Sequence, residues 1–283
     1  MQEYIDKLKR GDALSNNATY RSYLKDMRFE IPENLPDAKS LIIIAVSDRL
    51  MIVGFHLDGR LHEIMLPPQY YASGLTDEDF RKYISTEVVK GSECKLERTT
   101  KVHLKLLAVR SGLGQYGRNN LCYVEGMGSL LKLTAYFTDY QFEKDDWTQM
   151  KMMDGCKNCS ICMTHCPTKC ISKERFVIDV GKCVTLYNEV EGEFPEWIPH
   201  DAHNSLVGCM HCQLACPANQ EAVKLKGRLG DVTEEETKKI LEGEPDEELL
   251  TSLTRKLRKF VPAQSKEHFP IFTRNLKALL PRH

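Results

Sequence analysis

The chain has 283 residues, 42% of them apolar and 28% charged, and its formal net charge is −1. That is the composition of an ordinary soluble protein with one large and one small domain, and a near-neutral chain has no bulk attraction to nucleic acid. No apolar run approaches the ~20 residues of a membrane helix. The chain also starts without an apolar signal segment, so reduced cysteines, no disulfide framework and a cytoplasmic location are expected.

Residues 1–10 and 18–28 read as short amphipathic helices. Pro32, Pro36 and Asp37 mark a turn, and the apolar run 41–46 predicts a strand buried on both faces. Residues 50–57 and 60–65 flank Asp58-Gly59, the strongest short hairpin signal. Thr76-x-x-Asp79 resembles a helix start; Phe80, Ile84 and Val88 follow at helical spacing, predicting a helix over 77–89. Another helix is expected over 101–111, ended by Gly112, and a strand over 130–137. Residues 1–150 thus read as an α/β domain, and 151–225 as loops wound around inorganic cores. The capping-box pattern Thr233-x-x-Glu236 opens a helix to about Leu241. A second helix is expected over 247–260, followed by a Pro-punctuated end, so 226–283 reads as a helical, charged C-terminal tail. The fold class is α+β. Charge is uneven: 231–248 is acidic, and 255–282, with Arg255, Lys256, Arg258, Lys259 and Arg282, is basic. Such a basic face suits docking of an acidic electron donor, or pairing with the acidic segment before it.

Eight cysteines between positions 156 and 216 carry the strongest signal. Cys156-x2-Cys159-x2-Cys162-x3-Cys166-Pro167 has the bacterial ferredoxin spacing of a [4Fe–4S] site. Cys209-x2-Cys212-x3-Cys216-Pro217 is one ligand short, and Cys183 can supply it. The fourth cysteine of such a run ligates the other cluster in two-cluster ferredoxins. The expected sets are therefore Cys156, Cys159, Cys162 and Cys216 for one cluster, and Cys166, Cys183, Cys209 and Cys212 for the other. Zinc also takes Cys-x2-Cys pairs, but a third cysteine two residues on, followed by Cys-Pro, is not its spacing. Two [4Fe–4S] clusters imply transfer of single electrons. Cys170 has no ligand spacing and reads as a small buried residue. His165 and His211 read as solvent-facing spacers, with tuning of a cluster by hydrogen bonding as the alternative. Trp147 and Trp197 read as packing residues.

Glycines at 112, 114, 117, 126 and 128 let the backbone approach something closely or take positive φ. Gly112-x-Gly114-x-x-Gly117 matches a dinucleotide fingerprint only superficially, because it follows a helix and runs into a strand, the reverse of the required order. Tight turns are the plain alternative. Four features together resemble the epoxyqueuosine reductases and, more broadly, the cobalamin-dependent two-cluster reductases that include reductive dehalogenases. They are Leu35-Pro-Asp-Ala-Lys-Ser40 before an apolar strand, the block Leu107-Ala-x-x-x-Gly-Leu-Gly-x-x-Gly-Arg-Asn119, Gly128-Ser129, and the cysteines in this order. The span from Cys183 to Asn219 is similar in detail, including Gly208 and Pro217-Ala-Asn219. The resemblance covers about residues 35–220. It implies a corrinoid-reductase-like N-terminal domain that holds cobalamin over a ferredoxin-like domain. Gly112, Leu113, Gly114, Tyr116, Gly117, Arg118, Asn119, Gly128 and Ser129 would line the corrin.

The chain departs from this family at one point of chemistry. The family's Asp-Ser-x-Pro segment, whose Asp donates the proton, falls on Arg98, Thr99 and Lys101, and a guanidinium is a poor proton donor. The family's C-terminal helical repeat, which helps with tRNA, has no counterpart. The expectation is therefore a short paralogue for which tRNA is not a partner. Electrons would pass through both clusters to cobalamin and on to a small organic substrate. Arg98 would anchor an anionic substrate or hold charge near cobalt, with Tyr70, Tyr71, His103 or Tyr116 as the proton donor; Glu97 and Cys94 are nearby. The alternative is a relay that reduces a corrinoid on a partner protein. In both, ferredoxin or flavodoxin is the expected electron donor.

Overall fold

The computed structural model describes residues 2–11, 14–144 and 147–281. Two helices come first, α1 (Gln2–Arg10) and α2 (Ala18–Lys25), the second capped by Asn17, whose side chain accepts from the Tyr20 N–H. Then follow β1 (Ser40–Ser47), β2 (Leu50–Leu57), β3 (Arg60–Leu66), α3 (Asp77–Tyr83), β4 (Leu96–Thr99) and α4 (Leu104–Arg110). A two-residue pair, β5 (Gln115–Tyr116) and β6 (Cys122–Tyr123), precedes β7 (Leu131–Thr138). The cysteine region holds three short helices, α5 (Ile161–His165), α6 (Val184–Asn188) and α7 (His211–Leu214). The chain continues through β8 (Lys226–Arg228), α8 (Glu234–Glu242), α9 (Glu247–Lys256) and α10 (Phe269–Leu279). The fold is mixed α/β, and among the described residues no helix is long and apolar enough to cross a membrane.

The apolar run at 41–46 is a strand packed on both faces, as its composition predicts. β7 lies between β1 and β4 in an antiparallel sheet, with Ile42 opposite Tyr136 and Ala45 opposite Leu133. Alternation then sorts the side chains by face. Leu41, Ile43, Ala135 and Phe137 meet Leu107 of α4, while Ile42, Ile44 and Tyr136 meet Ile84 and Val89 beyond α3. α3 starts in a capping box in which Asp79 does the work usual for Glu: its carboxylate accepts from the Thr76 N–H at 2.7 Å. The expected helix over 77–89 is present but widens into a π turn at Ile84–Val88. The helix expected at 101–111 starts only at Leu104, because residues 96–99 pair with β7 as β4.

The β2–β3 hairpin turns at Asp58 and Gly59, both with positive φ, as a two-residue primed turn requires. It joins a second sheet, ordered β3-β2-β8, in which β8 runs parallel to β2. The C-terminal segment is therefore core rather than a tail. Phe55 of the hairpin packs with Phe260, Phe269 and Phe272, all fully buried, and Leu249, Leu253 and Ile240 complete the cluster. In the basic segment 255–282, Lys256 pairs with Glu236 at 2.5 Å, Arg274 lies over the Phe194 ring, and Arg282 falls outside the described residues.

Glu236 links α8 to α9. Burial alone would raise its carboxyl, but bonds from Lys256, Ser252 and the Thr233 N–H outweigh burial and hold it at about 2, against 4.5 ordinarily. A carboxylate depressed in the folded state stabilises fully above its unfolded pKa and stops doing so as pH falls through its folded value. Urea titrations should find Glu236→Gln less stable than wild type by about 2–3 kcal/mol at neutral pH. The gap should close as pH drops from 4.5 towards 2; a gap independent of pH would refute the assignment.

Candidate metal centres and the cavity beside them

The cysteines fall into two electrostatic groups. Burial raises the Cys162 thiol to about 11, and the neighbours that add to the rise are Cys156, Cys216 and Cys159. Burial likewise raises Cys209 to about 12, with Cys183 and Cys166 contributing. Cys212 is raised by burial and by Cys209, Cys183 and Cys166. The short helices explain the crossing. Cys162 lies in the first turn of α5, and Cys166 caps its far end; Cys212 lies in α7, and Cys216 follows it. α5 packs on α7, so the last cysteine of each helix reaches the other helix's group. Closely set thiolates repel until a metal core supplies positive charge, and thiolate is the ligand of choice for iron–sulfur cores. Among the described residues no three His, Cys, Asp or Glu side chains close to the spacing of a single metal ion. Cys170 is buried as expected, yet its Sγ lies 3.4 Å from Cys166 Sγ, beside the second group.

Side chains from outside the cysteine region lock these loops. Arg118 donates to the carbonyls of Cys156 at 2.5 Å and Cys159 at 3.2 Å. Asn219 donates to Ser129 Oγ at 2.8 Å and to the Gln213 carbonyl at 3.0 Å, and its own carbonyl accepts from the Ser129 N–H at 2.8 Å. This buried network fastens α7 to the loop before β7.

The second group opens onto a cavity of about 880 Å³. Tyr4, Tyr20 and Tyr23 of α1 and α2 form one wall. Of the residues expected to line a corrin, Tyr116, Asn119 and Ser129 reach the cavity. The others do not, and the reason is internal. A Cβ on Gly117 would stand 2.5 Å from the Tyr123 ring, and one on Gly114 would stand 2.7 Å from Cys122 Sγ. One on Gly128 would strike Asn219 Oδ1. These glycines let the chain's own atoms close in, Leu113 packs in the core beside β7, and Arg118 serves the first group's loop.

The catalytic expectations also change. Arg98 sits on β4 outside the cavity, 4.0 Å from Asp77. Tyr71 is bonded to Asp48 at 2.8 Å, away from the cavity. His103 lines the cavity, but burial, with Lys9 and Lys105, lowers it to about 4, so it is neutral at pH 7. Burial raises Tyr116, which keeps its proton. Sequence reasoning missed Glu189 and Lys105. Both side chains are open to the cavity interior, and the Tyr70 hydroxyl donates to Glu189. Their only sequence signal was position: Lys105 opens α4, and Glu189 ends α6 just after Cys183. Nε2 of His103 and of His211, both in the cavity wall, have no partner among the described residues; His211 is no solvent-facing spacer. His165 is exposed, and Trp147 and Trp197 are about half exposed.

A family model described as a 4Fe-4S double cluster binding domain matches residues 155–219. The epoxyqueuosine reductase of Staphylococcus aureus is 28% identical over 214 residues, covering 69% of this chain and 52% of that protein. The structure of epoxyqueuosine reductase from Streptococcus thermophilus matches with a TM-score of 0.64 at 17% identity, over 98% of this chain and 74% of that one. A crystal structure of epoxyqueuosine reductase with an epoxyqueuosine-modified tRNA stem loop also gives 0.64, at 16% identity, over 99% and 74%. The chain spans about half or less of the length of the first of these curated relatives. Residues 155–219 thus form a double [4Fe–4S] cluster domain on a mixed α/β fold shared with epoxyqueuosine reductases. These findings overturn the expectation of a small-molecule reductase, or of a relay to a corrinoid partner, with tRNA set aside. The similar proteins are epoxyqueuosine reductases, and one of them holds a modified tRNA stem loop.

Proposed function

We propose that this protein is an iron–sulfur reductase of the epoxyqueuosine reductase type, acting on a modified nucleoside of tRNA in a reducing cytoplasm. The observation that carries the reading is that the second thiol group opens onto a cavity whose wall also holds proton-bearing side chains. We assign Cys156, Cys159, Cys162 and Cys216 to one cluster, and Cys166, Cys183, Cys209 and Cys212 to the other. The mutual charge effects within each set support this. Only the second cluster then borders the cavity, so the first is the entry point for electrons and the second the exit.

Cobalamin is the further cofactor we place here. The cavity fits a large ring with amide-bearing edges: its walls carry Tyr116, Asn119 and Ser129, and the unpartnered Nε2 atoms of His103 and His211 meet the need of buried polar groups for partners. When bound, it would supply a strongly reducing cobalt centre beside the second cluster. The chain's own residues do the rest. Tyr4, Tyr20 and Tyr23 cover the cavity against water, and Asn119 is oriented by donating to the Tyr123 hydroxyl at 2.9 Å. Lys105, donating to the Asn120 carbonyl at 3.2 Å, holds positive charge where negative charge develops.

The test is anaerobic turnover of an epoxyqueuosine-containing tRNA stem loop by protein loaded with both clusters and cobalamin, driven by a strong reductant. Nucleoside analysis should show the epoxide lost and the deoxygenated nucleoside formed. Fully loaded protein that leaves the epoxide intact would sink the reading.

A further inference from the structure

We propose that Glu189 is the acid that hands a proton to the substrate oxygen in this cavity, with Tyr70 as the residue that positions it. The inference rests on the reductase reading above. The position where the resemblance places an acid holds Arg98, which faces Asp77 outside the cavity. Some other group must serve, and the cavity wall offers few. Among the described residues lining it, Glu189 is the one carboxylate. His103 is neutral at pH 7, and the Tyr116 phenol holds its proton too tightly.

The placement of Glu189 follows from the fold. It follows directly on α6, the short helix that starts immediately after Cys183. The carbonyl at the end of that helix is held from below: Asn275 of α10 donates to the Asn188 carbonyl at 2.9 Å, and the Asn188 side chain donates to the Gly208 carbonyl at 2.5 Å. Tyr70 comes from the turn after β3, and its hydroxyl donates to Glu189 Oε1. The Tyr70 ring lies so close to Gly208 that a Cβ there would stand 2.9 Å from it. Gly208 precedes Cys209, so Tyr70 is wedged between the loop of a cluster ligand and the carboxyl group. A glycine at 208 is what lets the ring reach.

The surroundings suit an acid. The charged and titratable groups facing Glu189 are Tyr23 from α2, Tyr70, and Lys105 from α4; Cys183 and Cys209 act in turn on Tyr70, and Cys183 also on Lys105. Burial raises the Glu189 pKa, and the Tyr70 bond and the Lys105 charge offset this only in part. The carboxyl therefore keeps its proton to higher pH than an ordinary glutamate does. Once the proton has left, Lys105 and the Tyr70 hydroxyl stabilise the carboxylate.

The step balances as follows. A one-electron reductant of low potential delivers two electrons in turn through the clusters. Both carbon–oxygen bonds of the epoxide break, and a carbon–carbon double bond forms. The oxygen takes one proton from Glu189 and one from solvent, and leaves as water. Solvent then reprotonates Glu189.

The experiment uses the full chain with both clusters and cobalamin loaded, and an epoxyqueuosine-containing tRNA stem loop. Single-turnover rates of Glu189→Gln should fall by about 10²–10⁴-fold, with the cluster spectra unchanged, and Glu189→Asp should recover part of the loss. The wild-type rate should fall as pH rises through the Glu189 pKa, because the protonated form is the competent one, and Glu189→Gln should lack that limb. A Glu189→Gln rate within about threefold of wild type, well short of a general acid's contribution, would overturn the proposal. Should wild type itself show no turnover, the reductase reading fails, and Glu189 is judged by infrared difference spectroscopy on reduction of the clusters. A protonated-carboxyl band that persists to higher pH than an ordinary glutamate's, shifts in Tyr70→Phe and vanishes in Glu189→Gln supports the acid. No such band in wild type overturns it.

Discussion

Anaerobically reconstituted wild type is expected to bind about eight irons, and the double variant Cys166→Ala/Cys170→Ala to keep about four. The surviving cluster should be the one held by Cys156, Cys159, Cys162 and Cys216. Paramagnetic resonance of the reduced variant should then show a single clean cluster, without the broadening that two coupled clusters give. Both cysteines must be changed because Cys170 Sγ lies 3.4 Å from Cys166 Sγ, near enough to take over as a ligand after a small rotation. In Cys166→Ala alone, a second cluster with altered signals is expected instead. Loss of the first cluster in the double variant, or zinc in place of iron, would show that the ligand sets are wrong.

The second large effect lies far from the metal. Phe272 is fully buried, and its ring meets Phe55 at 6.2 Å, Phe260 at 5.4 Å and Phe269 at 5.7 Å between centroids. Phe272→Ala should cost about 3–5 kcal/mol, since it leaves a cavity and removes three edge-to-face contacts. At this chain length that corresponds to a drop in Tm of roughly 6–20 °C. The loss matters for the site because α10 also holds α6: Asn275 donates to the Asn188 and Leu206 carbonyls, and Arg274 to the Tyr187 carbonyl at 2.8 Å. Faster bleaching of cluster absorbance on mild warming should accompany the lower Tm. A loss under about 1 kcal/mol would place α10 at the periphery and leave the cavity without that support.

Features set by neighbouring residues were legible in the sequence. The hairpin follows from Asp58-Gly59, both helix starts from Thr76 and Thr233, and the strand β1 from its unbroken apolar run. Features set by distant partners were not. β4 is four residues long, three of them polar, and only pairing with β7 makes it a strand. α10 was missed because Pro270 reads as a breaker, although it occupies the first turn, where its missing N–H costs nothing. The double-cluster domain was readable because the run itself dictates ligand spacing. The cavity wall was not, because the glycine block looked like a cradle for a ligand. Gly117 proves to be pressed against Tyr123 of its own chain, and sequence cannot tell a close approach to a cofactor from a close approach to a ring. Glu189 and Tyr70 are separated by 119 positions, and nothing local joins them.

The parallel pairing of β8 with β2, Leu50 opposite Lys226 through Ile52 opposite Arg228, has a consequence for how the molecule is made. A ribosome delivers the β2–β3 hairpin early and its partners late. Until residues 226–280 have emerged, Phe55, Val53 and Leu66 lack most of the core they pack against, and the loop that carries Glu189 lacks its fastening to α10. Cys216, too, is made 50 residues or more after the three cysteines of its group (Cys162 to Cys216 is 54 positions). Translation pauses before residue 226 is reached would therefore hold open both an oily hairpin and bare thiols. Chaperones would meet the hairpin before residues 226–280 emerge, and metal loading would follow the packing of those residues.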